Sequence, residues 1–189
     1  MNFDLLTNTI LETHTSLQQN AVKAVNINLT IRNWLIGFYI VEFEQRGEDR
    51  AKYGEGLIDA LEKKLKHIKG IDRRSLFRFR TFYLFYPHIA DFLKDSNFFK
   101  TLPPAISNFS IVGLPTPLLK ETLIVPAEKF LTKLSYSHIE QLLSVENPLK
   151  RTFYEIQAIK GTWSVSPLRV SVFHGTLRNS IRKLYCLLG

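Results

Sequence analysis

The sequence predicts a mainly α fold: a helix-turn-helix or winged-helix-like helical domain with a long N-terminal helix and an irregular, proline-rich middle. Three observations predict it. Apolar residues recur at three- and four-residue steps along most of the chain. Gly70 separates two such stretches, 57–68 and 73–86, as a tight turn would. The charge is concentrated there: between Glu62 and Arg80 stand eight Lys or Arg and only two acids.

The elements follow in order. From about residue 3 to 45, Leu5, Leu6, Ile10, His14 and Leu17, then Val22, Val25, Leu29, Ile36, Ile40 and Phe43, keep a helical rhythm. Asn26 to Thr30 is polar and β-branched, so a break is expected there. Arg46-Gly47 suits a helix end with glycine at the C-cap. Residues 48–56 read as a connection. Leu57, Ala60, Leu61, Leu65 and Ile68 then line one face of a basic helix. Asp72 is a candidate N-cap for the next helix, and Pro87 stops it. From His88 to Pro126 the rhythm weakens and prolines recur at 103, 104, 115, 117 and 126. That stretch reads as a long connection or short hairpin, a candidate wing. Phe98, Phe99, Ile106 and Phe109 show that part of it must pack. Helical rhythm returns near Leu134, with Ser135 or Ser137 as cap. Pro148 suits the first turn of another helix, which Gly161 ends. Ser164 or Ser166 can cap a last one. The expected organisation is 1–47 as an N-terminal helical segment, 48–168 as the helix-turn-helix-like domain, and 169–189 as a divergent tail.

Composition excludes several classes. With 45% hydrophobic and 22% charged residues in 189, the chain is long enough and apolar enough to fold. A net charge of +8 points to a polyanionic partner. The single cysteine, Cys186, rules out an internal disulfide and fits a reducing, cytoplasmic setting. The N-terminus lacks a basic n-region, so no signal peptide is read. The longest apolar run, 34–43, is too short for a membrane span.

The basic helix pair carries the chemistry. A helix in the major groove needs side chains that reach phosphates and base edges, and Arg does both. Arg73, Arg74, Arg78 and Arg80 are the candidates; Arg74 and Arg78 share one face, Arg73 and Arg80 another. The preceding helix crosses the backbone, where Lys63, Lys64, Lys66 and Lys69 serve as point charges. The competing reading is a solvated basic face whose long stems lie over aromatic surface. Asp59 and Glu62-Lys63-Lys64 spell part of a restriction-nuclease signature. That signature belongs on adjacent strands, and here it falls inside a helix, so no catalytic residue, metal or cofactor is expected. The histidines at 14, 67, 88, 138 and 174 have no ligand spacing; His138 suits a cap or the core. There is no phosphate-binding glycine loop and no nucleophile elbow. Trp34 and Trp163 read as packing anchors.

Three phrases together resemble the N-terminal domain of the YhcG family, a family of unknown function counted among the PD-(D/E)xK nucleases. They are NWLIGFYIVEFEQRGEDRAKYGEGLIDALEKKL, GIDRRSLFRFRTFYLFYP and LSYSHIEQLLSVENPLKRTFYEIQAIKGTWSVSPL. Trp34, Gly37, Lys52, Tyr53, Gly54, Arg74, Phe82, Tyr83, Ser135, His138, Tyr154, Trp163 and Leu168 are among the matches, over roughly residues 20 to 170. Tyr136 stands where the family usually has Trp. The resemblance implies a helical, winged-helix-like DNA-binding domain that precedes a nuclease domain in full-length relatives. This chain ends at Gly189 without that domain, so catalysis by it alone is not expected. The expected partner is DNA. The alternative is a protein-interaction or oligomerisation module, a homodimer or a partner of a nuclease or restriction–modification subunit.

Overall fold

The structure, a computed structural model, describes residues 2–46, 53–95 and 125–174. Among these residues every regular element is helical and no strand occurs. The helices are α1 (Phe3–Arg46), α2 (Leu57–Leu65), α3 (Arg73–Phe85), α4 (Ile89–Asp95), α5 (Ala127–Lys133), α6 (Tyr136–Leu142), α7 (Pro148–Lys160) and α8 (Val165–His174). A 3₁₀ turn, Gly54–Gly56, leads into α2.

Local signals set most boundaries. Gly70 takes φ +84°, a left-handed conformation that favours glycine, and so turns the chain between α2 and α3. Asp72 caps α3: its carboxylate accepts the Ser75 N–H at 2.7 Å. That bond holds the Asp72 carboxyl below its usual range. The Asn147 side chain caps α7, accepting the Lys150 N–H, and Pro148 occupies the first turn. Ser135 precedes α6 in a reciprocal cap with His138. Ser135 Oγ lies 2.7 Å from His138 Nδ1, and His138 Nε2 donates to the Trp163 carbonyl at 2.9 Å. The imidazole thus ties the start of α6 to the chain entering α8.

Three expectations change. No break falls at Asn26–Thr30; α1 is continuous for 44 residues. Thr30 and Ile31 are buried and Ile27 packs on the core, so tertiary contact overrides poor local propensity. The segment after Pro87 is not simply a connection, because α4 forms there with Ile89, Ala90 and Leu93 fully buried. A further helix, α5, precedes Leu134 and buries Phe130 and Leu131. The Gly47 cap, the wing, the packing of 98–112 and the tail from 175 lie outside the described residues.

The second half of α1 lies at the centre. It packs most extensively on α3, and the pair has a core on each side. On one side Ile31, Trp34, Phe38 and Val41 meet Phe82, Tyr83 and Tyr86 with α4, α5 and α6. On the other, Ile40 meets Leu57, Ile58, Ile71, Leu76 and Phe79. Trp34 anchors the first core. Its ring is fully buried, its Nε1–H donates to the Tyr86 carbonyl at 3.0 Å, and Tyr83 meets it edge-on at 5.2 Å. The Tyr86 hydroxyl in turn donates to the buried Glu155 of α7 at 2.6 Å. Burial pushes the Glu155 carboxyl up from its usual range.

The two helices approach backbone to backbone at Gly37. A Cβ there would stand 1.9 Å from the Phe79 carbonyl oxygen and 3.1 Å from Tyr83 Cβ. The nearest obstacle is backbone and cannot rotate away. Gly37→Ala therefore has to push α1 off α3. We expect it to cost about 3 kcal/mol, the upper end for overpacking, and to lower the melting temperature by roughly 10 °C. Unchanged melting by circular dichroism would contradict so close an approach.

Candidate nucleic-acid interface

The turn from α2 to α3 is fixed by charge as well as by Gly70. Asp59 of α2 pairs with the Arg73 guanidinium, and Glu62 accepts the Arg73 backbone N–H at 3.0 Å. The Glu-x-Lys carboxylates are thus turned toward the N-terminus of α3. Among the described residues no group of three His, Cys, Asp or Glu is placed to hold a metal ion.

The four arginines of α3 are not equivalent. Arg78 donates to Glu140 of α6 at 2.7 Å, and Arg80 Nε donates to both carboxylate oxygens of Glu44 in α1 at 2.9 Å. With Arg73 on Asp59, three of the four tie α3 to three different helices. Each pair is partly exposed, so each contributes on the order of 0.2–1 kcal/mol. Their combined effect is to fix how α3 sits. Arg74 is exposed and forms no ion pair among the described residues. Lys63, Lys64, Lys66 and Lys69 are also exposed. The cations open to solvent therefore run from the last turn of α2, through the turn, to the first turn of α3.

The outward face of α3 is read from spacing. Arg74, Phe77, Thr81 and Leu84 follow at three- and four-residue steps, and Phe77 and Leu84 are 44% and 46% exposed. The Arg73 guanidinium lies 5.2 Å from the Phe77 ring centroid. Arg74 and Arg78, which share a face by sequence spacing, are divided by the fold: one meets solvent, the other meets Glu140. Nothing in the sequence near α3 marks Glu44 and Glu140 as its partners. They lie 36 and 62 residues from Arg80 and Arg78 in sequence, and no local pattern signals such pairs.

Tyr136 sits beneath this face. It packs on Phe79 and Phe82, with ring centroids at 5.8 and 6.0 Å. Its hydroxyl is buried and has no hydrogen-bond partner among the described residues. Burial raises its pKa well above the usual tyrosine value, with Glu140 adding to the shift. An apolar cavity, about 500 Å³, opens between α1 and α2 and is lined by Ile36, Tyr39, Phe43, Leu57, Leu61 and Lys64 among others. No charged group converges inside it apart from Lys64 at its edge.

Comparison with known proteins locates the chain. Residues 9–103 match the DUF1016 N-terminal domain. The chain is 36% identical over 155 residues to a protein of Escherichia coli (strain K12) named "Putative nuclease YhcG". The match covers 81% of this chain and 40% of that relative, so the chain spans less than half of the relative's length. No solved structure matches.

The unpaired Tyr136 hydroxyl yields a test. Removing it should relieve a desolvation cost of about 1 kcal/mol. Tyr136→Phe is expected to raise the melting temperature by roughly 2–4 °C. A fall in melting temperature would mean that the hydroxyl has a partner.

Proposed function

The chain belongs to the family of the DUF1016 N-terminal domain, and from that premise we propose that it is a DNA-binding module of a nuclease-associated protein, without a catalytic site of its own. In this reading α2, its turn and α3 act as a helix-turn-helix. Lys63, Lys64, Lys66 and Lys69 neutralise phosphates. Arg74, in the first turn of α3, reaches a base edge, as N-terminal residues of recognition helices do. Phe77 lies one turn on, where an apolar side chain can meet a thymine methyl group. Arg73, Arg78 and Arg80 hold α3 at its angle to the rest of the molecule; their contact with DNA is secondary.

The observation that supports this most is the selective exposure of charge. Three arginines of one helix are matched by carboxylates from elsewhere, while five neighbouring cations are exposed and Asp59 and Glu62 point back to Arg73. A basic surface kept only for solubility has no need of that division. The name of the Escherichia coli relative, "Putative nuclease YhcG", supports a nucleic-acid partner.

The test is fluorescence anisotropy of a short random duplex across a salt series. With four lysines and Arg74 on phosphates or bases, the log–log slope should be about −4. Replacing the four lysines by Gln should flatten the slope by roughly one unit per lost contact. Absence of binding at low salt by the folded chain would reject the reading.

A further inference from the structure

The first half of α1 is a helix that nothing described here holds in place. Every residue from Asn2 to Asn26 is exposed. Its sequence does not favour an isolated helix. Thr7, Thr9, Thr13 and Thr15 are poor formers, as are Asn8, Asn20 and Asn26. Most helical stability comes from packing of an apolar face, and even good formers of this length are marginal alone. A helix of this composition therefore needs a cover.

The pattern of its apolar residues says what kind. In the buried half the core stripe is Ile31, Trp34, Phe38 and Val41, spaced three, four and three. Counting back in the same register gives Ile27, Ala24, Leu17, Ile10, Leu6 and Phe3, with Asn20 and Thr13 completing the repeat. Of the seven seam positions in the exposed half, Phe3, Leu6, Ile10, Leu17 and Ala24 are apolar and Thr13 and Asn20 are polar, while Leu5, Leu11, Val22 and Val25 are exposed beside the seam. Phe3, Ile10 and Leu17 are 76%, 60% and 64% exposed on it. Apolar residues at three- and four-residue steps, with single polar positions among them, are the pattern of a short coiled coil.

We infer that the exposed half of α1 pairs with the same segment of a second copy of this chain, in antiparallel orientation. Charge selects both the partner and the direction. Residues 3–30 contain only three charged side chains: Asp4 and Glu12 toward the start, and Lys23 toward the end. Side-by-side parallel copies would set each charge against its own kind. Antiparallel copies bring Glu12 near Lys23, once on each side of the two-fold axis. Such sparse charge also leaves no field to attract a strongly basic or acidic partner. In that register residues 9–26 of each copy lie side by side, about 27 Å of helix.

Size-exclusion chromatography with light scattering on the full chain tests this. The expected mass is twice 21.9 kDa. Ile10→Glu with Leu17→Glu should give a monomer with unchanged core melting, since both side chains are solvent-exposed in the single chain. Glu12→Lys should weaken the dimer by roughly tenfold, and adding Lys23→Glu should restore it. A wild-type monomer at every concentration would overturn the inference and assign the cover to another part of the chain or to a different protein. A dimer indifferent to Ile10→Glu with Leu17→Glu would also overturn it, because the contact would lie elsewhere. Failure of the charge swap to rescue would refute the antiparallel direction.

Discussion

At Gly37 a helix of this protein runs so close to its neighbour that a methyl group would meet a backbone carbonyl. Much else depends on that approach. It lets α1 and α3 form one wall with a core on either side, so that Trp34, Phe38 and Tyr83 interlock on one face while Ile40 meets Leu76 and Phe79 on the other. It sets the position of Phe79 and Phe82, against which Tyr136 packs to seat α6. It also brings Glu44 of α1 within reach of Arg80. A wider separation would loosen both cores and release that arginine.

The charges of α3 then divide by what surrounds them. Arginines that face other helices meet carboxylates, and the one on the outward face does not. Individually these exposed pairs contribute little to stability. Their geometric consequence is larger, because each bridges α3 to a different element. A recognition helix must be held in a fixed orientation if a single arginine is to find a base edge. In the proposed reading the same side-chain type serves two purposes within eight residues, and the fold decides which. The buried Tyr86–Glu155 bond and the His138 link to the Trp163 carbonyl brace the opposite end in a similar way.

Much of this was legible in the sequence, for identifiable reasons. The caps at Asp72 and Ser135, the turn at Gly70, the stop at Pro87 and Pro148 in the first turn of α7 are local events encoded by adjacent residues. The helical character and the family resemblance rested on apolar spacing and on short phrases in order. What escaped was non-local. Continuity of α1 through Asn26–Thr30 comes from burial of Thr30 and Ile31, which no propensity reveals. Short helices such as α4 and α5 show too few turns to establish a period. The partners of Arg78 and Arg80 lie on other helices, so their roles could not be read from the spacing of α3 alone.

The central claim is that the arginines of α3 serve two separate purposes, and paired substitutions test it most directly. Arg74→Ala and Arg80→Ala would be compared by thermal melting and by duplex-binding anisotropy. The account predicts that Arg74→Ala lowers affinity by roughly ten- to a hundredfold, in line with loss of one bidentate base contact, with melting unchanged. It predicts that Arg80→Ala lowers the melting temperature by a few degrees and changes affinity far less than Arg74→Ala. Equal losses of affinity with no change in melting for either variant would contradict it.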